Sequence, residues 1–183
     1  MRSRLLGGLL TAVALVLLGA CSSTPAAPTT AVDAAHGPAD VAFAQGMIPH
    51  HRQAVEMSQL AATRAASSQV KDLATRIEAE QAPEIDQLTG MLAAWGAPAD
   101  QPMSMSGMAG MMGPQQMAEL GALSGPAFDR AFLTMMIAHH QGAVQMAQTE
   151  LAQGSNPQAR QLAQAIITAQ QAEIAEMQGL LQA

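Results

Sequence analysis

One five-residue motif occurs twice in this chain, 89 positions apart, at residues 47–51 and again at residues 136–140. The first copy reads Met-Ile-Pro-His-His and the second reads Met-Ile-Ala-His-His, so the two copies hold four of the five histidines. The offset stays constant through polar positions, which indicates two copies of one helix-hairpin unit. Two copies are too few for a solenoid, but two hairpins are the right number for a four-helix bundle. Further pairs at this offset include Asp40 and Asp129, Phe43 and Phe132, Ala54 and Ala143, Val55 and Val144, Met57 and Met146, Leu73 and Leu162, Ala74 and Ala163, Ile77 and Ile166, Gln81 and Gln170, Glu84 and Glu173, and Ile85 and Ile174.

Helix start and stop signals predict four long helices and a short one. Asp40 is a suitable N-cap, Pro126 suits a first helical position, and Asn156 followed by Pro157 combines both signals. Short turns join the helices within each copy, so each pair is expected to be antiparallel. The predicted fold is all-α, an antiparallel four-helix bundle built from two repeated helix hairpins. The long helices are expected at residues 40–66, 68–95, 126–153 and 157–181, and the short one at residues 114–123.

The first 20 residues have the anatomy of a signal peptide. Arg2 and Arg4 precede an apolar run at residues 5–18, which is too short for a comfortable membrane span. The run leads into Leu-Gly-Ala-Cys, which resembles the lipobox of bacterial lipoproteins, where the cysteine (here Cys21) is lipidated and becomes the mature N-terminus. The alternative is an ordinary secretory signal with a chance cysteine, but Cys21 is the only cysteine in the chain. The protein is therefore expected to be exported and lipid-anchored to the cell membrane, on its extracytoplasmic face or in the periplasm.

The remainder of the chain divides by composition. Residues 21–39 are rich in Ala, Pro, Thr and Ser and are expected to form a flexible tether, in which His36 is exposed. Residues 40–183 are expected to form one domain. Its predicted parts are a first repeat at residues 40–95, a Met-rich linker at residues 96–124 and a second repeat at residues 125–183.

The charge and the aromatic content exclude some classes of partner. The chain has a formal net charge of −6, no tyrosine, three phenylalanines and one tryptophan. An acidic chain with few stacking side chains is a poor nucleic-acid binder but is compatible with attracting cations.

Each His-His pair has a methionine three residues before its first histidine, Met47 before His50 and Met136 before His139. Side chains at this spacing share one helical face and can meet. Ferritin-like di-iron bundles place Glu, a hard ligand, three residues before His. A thioether is soft and suits Cu(I), whereas imidazole suits copper or zinc, so the pattern favours copper, and Cu(I) in particular, over iron. Zinc and Cu(II) remain the alternative ions.

The predicted ligands are the two motifs and two further methionines on the same stripes, which could equally be core fillers. A lone histidine on an apolar face is more often a core residue than a ligand, but two pairs at matched positions weaken that reading. Glu84 and Glu173 are candidates for partners that orient the histidines, or else solvated helix charges. The candidate ligands are His50, His51, His139, His140, Met47, Met136, Met57 and Met146.

The linker between the repeats carries a second copper signal. Methionines crowd into residues 101–117 among Ser, Gly and Pro, where a flexible segment would have no core for them to fill. Spaced thioethers resemble the Met-rich copper motifs of exported copper-resistance proteins. The alternatives are a partner-binding methionine surface or compositional drift. The predicted auxiliary ligands are Met103, Met105, Met108, Met111 and Met112, with Met117 nearby.

Together these motifs resemble the bacterial family known as domain of unknown function 305 (DUF305), over essentially all of residues 40–183. Residues 43–57 read Phe-x-x-x-Met-Ile-Pro-His-His-x-x-Ala-Val-x-Met, residues 128–146 carry the second copy, and Gln-x-x-Glu-Ile follows at residues 81–85 and 170–174. The resemblance implies a ferritin-like fold, and copper binding by the four paired histidines with Met47 and Met136. The second copy departs from the family pattern in having Ala138 in place of a frequent proline.

Three functions are compatible with these features. The leading hypothesis is a non-enzymatic, lipid-anchored protein that buffers, sequesters or hands over copper, with a copper-transport protein or a second copy of the chain as its protein partner. A ferritin-like metal oxidase would need a redox-active ion with an open coordination position. A structural or interaction lipoprotein with buried histidines would fold and melt without regard to metal.

Overall fold

The structure is a computed structural model that describes residues 32–99 and 108–182. In these residues it contains five helices and no strand. The predicted signal peptide, Cys21, most of the predicted tether, Met103 and Met105 lie outside them. None of the described helices is both long and apolar enough to cross a membrane. The helices are α1 (Pro38–Arg64), α2 (Ser68–Ala94), α3 (Pro114–Ala122), α4 (Gly125–Gln153) and α5 (Pro157–Gln182).

The helices start where a side chain accepts a hydrogen bond from a free backbone N–H group of the first turn, or where a proline has no N–H group. Ser67 accepts a hydrogen bond from Val70 N at the start of α2, and Asn156 Oδ1 accepts one from Ala159 N at the start of α5. The prediction that Asp40 is the N-cap of α1 is wrong. Gly37 is the N-cap, and Asp40 lies three residues later, where its carboxylate accepts the Gly37 N–H at 2.6 Å.

The four long helices pack as two hairpins. Three-residue turns at residues 65–67 and 154–156 join α1 to α2 and α4 to α5, and each of these pairs packs together. The hairpins meet through α1 and α4, while the short α3 lies against α4. Both α1 and α2 continue through their internal prolines, Pro49 and Pro83.

The two repeats cap each other through matched aspartates. Asp129, in α4, accepts hydrogen bonds from Ala66 N and Ser67 N in the first turn, at 3.0 and 2.9 Å. Asp40, in α1, accepts them from Ser155 N and Asn156 N in the second turn, at 2.9 and 2.8 Å. Donors and acceptors are related by the same offset of 89 positions. The hairpins are therefore related by an approximate two-fold axis, and α1 and α4 run antiparallel.

A polar layer divides the core into two apolar halves. One half joins the first part of α1 to the last part of α4, with Phe43, Met47 and Ala147 among its members. The other joins the last part of α1 to the first part of α4, with Met57 and Phe132 among its members. The buried polar side chains between them are His50, His51, Gln53, Gln81, His139, His140, Gln170 and Glu173.

The segment before α1 contacts the helices, although the sequence predicts a flexible tether there. Trp95 Nε1 and Asn156 Nδ2 both donate to the carbonyl of Asp33, at 3.1 and 3.0 Å. The exposed ring of His36 stacks on Trp95 with their centroids 5.1 Å apart. Trp95 is buried in the first half-core, as expected for a residue that covers the end of α2.

Asp40 also faces a second buried carboxyl group, that of Glu150, which is 1% exposed. Burial, together with the neighbouring Asp40 carboxylate, raises the pKa of Glu150 to about 8. Burial alone would raise the pKa of Asp40 too, but hydrogen bonds from the backbone of Asn156 and Gly37 and from the Ser155 hydroxyl group, together with the neighbouring Glu150 carboxyl group, lower it to about 2. At neutral pH the pair therefore holds one proton, on Glu150.

This pair predicts a pH-dependent gain in stability for Glu150→Gln. Unfolded Glu150 loses its proton near pH 4.5, while the folded protein keeps it to about pH 8. Stability falls as the pH rises through that window, because the folded state then binds more protons than the unfolded state. We expect the variant to melt near the wild-type temperature at pH 4.5 and at least about 3 °C above it at pH 9. Melting followed by circular dichroism checks this, with the exposed Glu56→Gln as control; an equal shift at both pH values would contradict it.

Candidate metal centre

The centre of the polar layer is a pair of histidines contributed by the two repeats. His50 of α1 and His139 of α4 are both 0% exposed, and their ring centroids are 3.8 Å apart at an interplanar angle of 44°. Because these residues occupy matched positions, the contact lies on the approximate two-fold axis. The two motifs therefore meet at one place instead of forming two remote sites.

The second histidine of each motif is held by a glutamate of its own hairpin. His51 Nε2 lies 2.6 Å from Glu84 Oε2, and His140 Nε2 lies 2.7 Å from Glu173 Oε2. A carboxylate only accepts hydrogen bonds, so Nε2 is the donor in each pair, and Nδ1 is the ring nitrogen that is left to face a metal ion. This is the arrangement by which carboxylates orient histidine ligands of metals.

Several buried ring nitrogens have no hydrogen-bond partner among the described residues. They are Nδ1 of His50, His51 and His140, and both nitrogens of His139. Buried polar atoms are rarely left in this state, and each needs an explanation. Buried ring nitrogens without partners fit the imidazole ligands of a soft or borderline metal ion.

Burial also keeps the central pair neutral. It lowers the pKa of His50 to about 4; the carbonyl of Ala109 opposes this shift, and the neighbouring His51 and His140 add to it. Burial and the other histidines likewise hold the pKa of His139 well below its usual range. Neutral imidazole is the metal-binding form, so the pair needs to lose no proton at pH 7.

The predicted thioether ligands lie at different distances from the central histidines, measured along the helix axes of α1 and α4. Met47 and Met136 are fully buried, and they precede the central histidines by one helical turn, about 4.5 Å of rise. Met57 and Met146 follow those histidines by seven residues, about 10 Å of rise, in the two half-cores. Met57 is fully buried and Met146 partly buried. Met47 and Met136 are therefore the better placed to join the imidazoles.

The linker methionines that the structure describes are packed, which their flexible context did not predict. Met112 is buried in the second half-core, and Met117 packs against it. Met108 and Met111 are half-buried. Met112 and Met117 therefore have an ordinary packing role, and the prediction that the linker methionines have no core to fill is wrong for these two.

Imidazoles and carboxylates alone do not build a complete site. Within residues 32–99 and 108–182, no three His, Cys, Asp or Glu side chains are grouped closely enough to hold one ion. The central pair supplies two imidazoles, and thioether sulfur is the other donor type nearby. This donor set fits a soft ion better than iron, which the carboxylate-rich sites of di-iron bundles hold.

A segment whose path the sequence did not predict lies over the site. Residues 108–113, the part of the linker that we call the strap, run across α1 and α4. The carbonyl of Ala109 accepts a hydrogen bond from His50 Nε2 at 3.2 Å, and Gln53 binds both backbone groups of Met112, at 2.7 and 2.8 Å. The signal that could have revealed it is a break in the repeat, since Gln53 is matched by Gly142.

The carboxylates that hold His51 and His140 give a prediction for metal affinity. Glu173→Gln and Glu84→Gln each remove the charge that orients one histidine, so each should weaken the binding of a metal ion at the histidines, with Cu(I) as the probe, about tenfold. The matched control is Glu176→Gln, which lies on α5 as Glu173 does but pairs with Arg76 at the surface. Competition against a chromophoric chelator measures the affinities. Equal affinity for all three variants and the wild type would show that the carboxylates have no part in the site.

Several solved structures are similar to this chain in both fold and sequence. A DUF305 protein from Streptomyces coelicolor is 34% identical, covers 78% of this chain and 91% of its own, and superposes with a TM-score of 0.74. A DUF305 fragment from Deinococcus radiodurans is 35% identical over 79% of this chain and 96% of its own, also at 0.74. CopM in its Cu(I)-bound form is 31% identical over 78% of this chain and 95% of its own, at 0.69.

CopM has also been solved with Cu(II), with silver and without metal. No curated protein sequence matches the chain. The family model for the domain of unknown function DUF305 matches residues 40–181, which confirms the resemblance of the doubled motif. The chain belongs to the DUF305 family.

Proposed function

We propose that this protein is an exported, lipid-anchored copper-binding protein that buffers, sequesters or hands over copper as Cu(I). The observation that carries the proposal is the buried, neutral pair His50 and His139 on the approximate two-fold axis, whose rings hold unpartnered nitrogen atoms. Met47 and Met136 are fully buried and lie one helical turn before these histidines. Imidazole with thioether is a donor set that selects Cu(I).

The relatives support the choice of metal. CopM, which covers 78% of this chain at 31% identity, binds Cu(I), and it has further structures with Cu(II) and silver. Silver and Cu(I) are both soft monovalent ions, so they favour the same donors. In this chain His50, His139, Met47 and Met136 would form the centre, with His51 and His140 oriented toward it by their glutamates.

The four long helices are proposed to form an antiparallel bundle on the ferritin plan, which places the polar layer at mid-height. Lipidation of Cys21 would anchor this bundle to the extracytoplasmic face of the membrane. The Streptomyces coelicolor relative is itself described as a candidate secreted protein. Linker methionines, among them Met108 and Met111, would make the first contacts with incoming ions.

A ferritin-like oxidase is less well supported by the side chains present. Glu84 and Glu173 each face one histidine and are engaged by it at 2.6 and 2.7 Å, instead of converging on a shared ion. A binding protein needs only to hold and release its ion, which the enclosed pair of neutral imidazoles suits.

A Cu(I) titration against a competing chromophoric chelator tests the proposal. It compares the wild type with the variant His50→Ala/His51→Ala/His139→Ala/His140→Ala. Tight binding that the variant loses would support a copper site in the helices. Binding that survives would move the site to the linker methionines, and no binding by either protein would leave a structural lipoprotein as the better account.

A further inference from the structure

The strap is fixed to the metal centre at two places along its length. Gln53 Nε2 donates to the carbonyl of Met112 at 2.8 Å, and Gln53 Oε1 accepts from Met112 N at 2.7 Å. Three residues earlier, the carbonyl of Ala109 receives the His50 Nε2 proton at 3.2 Å. Gln53 is only 7% exposed, so its two hydrogen bonds are shielded from competing water.

Two glycines allow the strap to lie directly on α4. A Cβ atom at Gly142 would overlap the carbonyl of Ala109, and Gly110 has a φ of +80° and faces the backbone of Ala138 and His139. Residues with a side chain rarely adopt such a φ and could not approach the helix as closely. The strap therefore touches both central histidines, the ring of His50 and the backbone of His139.

Gln53 and Gly142 occupy matched positions in the two repeats. In α1 this position supplies the side chain that binds the strap, and in α4 it lacks the side chain that would exclude the strap. Both differences therefore allow the strap to lie across the pair His50 and His139. They also make the central histidines unequal, because only His50 has its Nε2 bonded.

Ions can reach this centre only if something moves, since His50 and His139 are both 0% exposed. Separating α1 from α4 would expose both apolar half-cores, which is costly. Lifting the strap breaks a few hydrogen bonds and uncovers one buried apolar side chain, that of Met112, in a short segment whose Ala109 is exposed. Local opening occurs first where few apolar contacts are lost, so the strap is the cheaper route.

We infer that Gln53 is a positioning residue of the metal centre, which holds the strap closed over His50 and His139 so that strap opening sets the rate of copper entry and release. This inference rests on the proposed copper function. It adds that the exchange rate of the ion is controlled by residues that do not bind it.

The test compares Gln53→Leu and Gly142→Ala with the wild type, using the full chain in detergent. The first variant removes both hydrogen bonds to Met112, and the second pushes Ala109 away while leaving Gln53 intact. The matched control is Gln45→Leu, because Gln45 also lies on α1 and donates to a loop carbonyl, that of Pro98, at 2.8 Å. Stopped-flow transfer of Cu(I) to an excess of chelator gives the release rate, after an equilibrium titration of the same samples.

Both test variants should release Cu(I) about tenfold faster than the wild type and the control, the effect expected from losing one to two net hydrogen bonds. Association should accelerate too, so the dissociation constant changes less than the release rate. In the metal-free protein, hydrogen exchange of the Met112 amide should also accelerate about tenfold in both test variants and not in Gln45→Leu.

Unchanged release rates in both variants, in samples that bind Cu(I) tightly, would overturn the inference and leave the proposed function intact. An unchanged Met112 amide exchange would also overturn it, without any use of metal. Failure of the wild type to bind Cu(I) in the titration would overturn the proposed function, and the inference with it. If one variant does not fold, the other decides.

Discussion

Replacing Asp40 by alanine is expected to lower the free energy of unfolding by about 3–5 kcal/mol, because several buried donors lose their acceptor at once. Asp40 is 0% exposed and accepts hydrogen bonds from Gly37 N, Ser155 N, Ser155 Oγ and Asn156 N. Truncation leaves these donors unpaired and places a cavity beside Glu150. Urea unfolding followed by circular dichroism measures the change.

The matched residue in the second repeat supplies the control, Asp129→Ala. Asp129 makes the matched contacts in the other repeat, with Ala66 N and Ser67 N, but it is partly exposed, so water can replace its carboxylate. Its removal should cost about 1–2 kcal/mol. Equal losses for the two variants would contradict the account in which burial of the Asp40 cap at the junction of the repeats determines its contribution.

The double variant His50→Leu/His139→Leu is expected to lose more than about 100-fold in Cu(I) affinity and to become more stable. Loss of a partner that merely supports a ligand costs ten- to a hundredfold, and loss of two ligands must cost more. Of the four ring nitrogens removed, three have no partner among the described residues. Replacing such buried polar groups by apolar ones is neutral to stabilising.

The gain in stability should be larger in mild acid. The pKa of His50 is lowered to about 4 by burial, so the wild type loses stability as the pH falls from about 6.5 toward 4, because the unfolded state takes up a proton there first. The leucine variant lacks this loss. Calorimetry at pH 5 and pH 7.5 and a chelator competition check both effects, with Met91→Leu, a buried change remote in sequence from the motifs, as control.

A structural role for the histidines predicts the reverse pattern. If the pair existed to hold α1 against α4, its replacement would lower the melting temperature and leave metal binding unaltered. A variant that is less stable than the wild type and binds Cu(I) equally well would therefore remove the basis for a metal centre at His50 and His139.

Much of the fold was predictable because the repeat carries both local and long-range information. The helices begin and end within two residues of their predicted positions, since Ser67, Pro126 and Asn156 are strong helix-start signals. The matched offset also identified which side chains would be equivalent across the two-fold axis. The His-His motifs and Glu84 and Glu173 could be selected on that basis, before any distance was known.

The remainder depends on contacts that a single sequence does not encode locally. Asp40 has the chemistry of an N-cap, but the choice between capping its own helix and capping the turn of the other repeat is made by packing. The strap lies in a segment with no periodicity, so its path over His50 could not be predicted from composition. Its only trace is the mismatch of Gln53 with Gly142, which has meaning only once α1 and α4 are known to face each other.

X-ray absorption spectroscopy at the copper edge of the Cu(I)-loaded protein identifies the atoms that hold the ion. We expect a first coordination shell that contains both imidazole nitrogen and thioether sulfur, and the loss of the nitrogen component in His50→Leu/His139→Leu. A shell made of sulfur alone, unchanged in that variant, would contradict the account and move the copper from the paired histidines to methionines elsewhere in the chain.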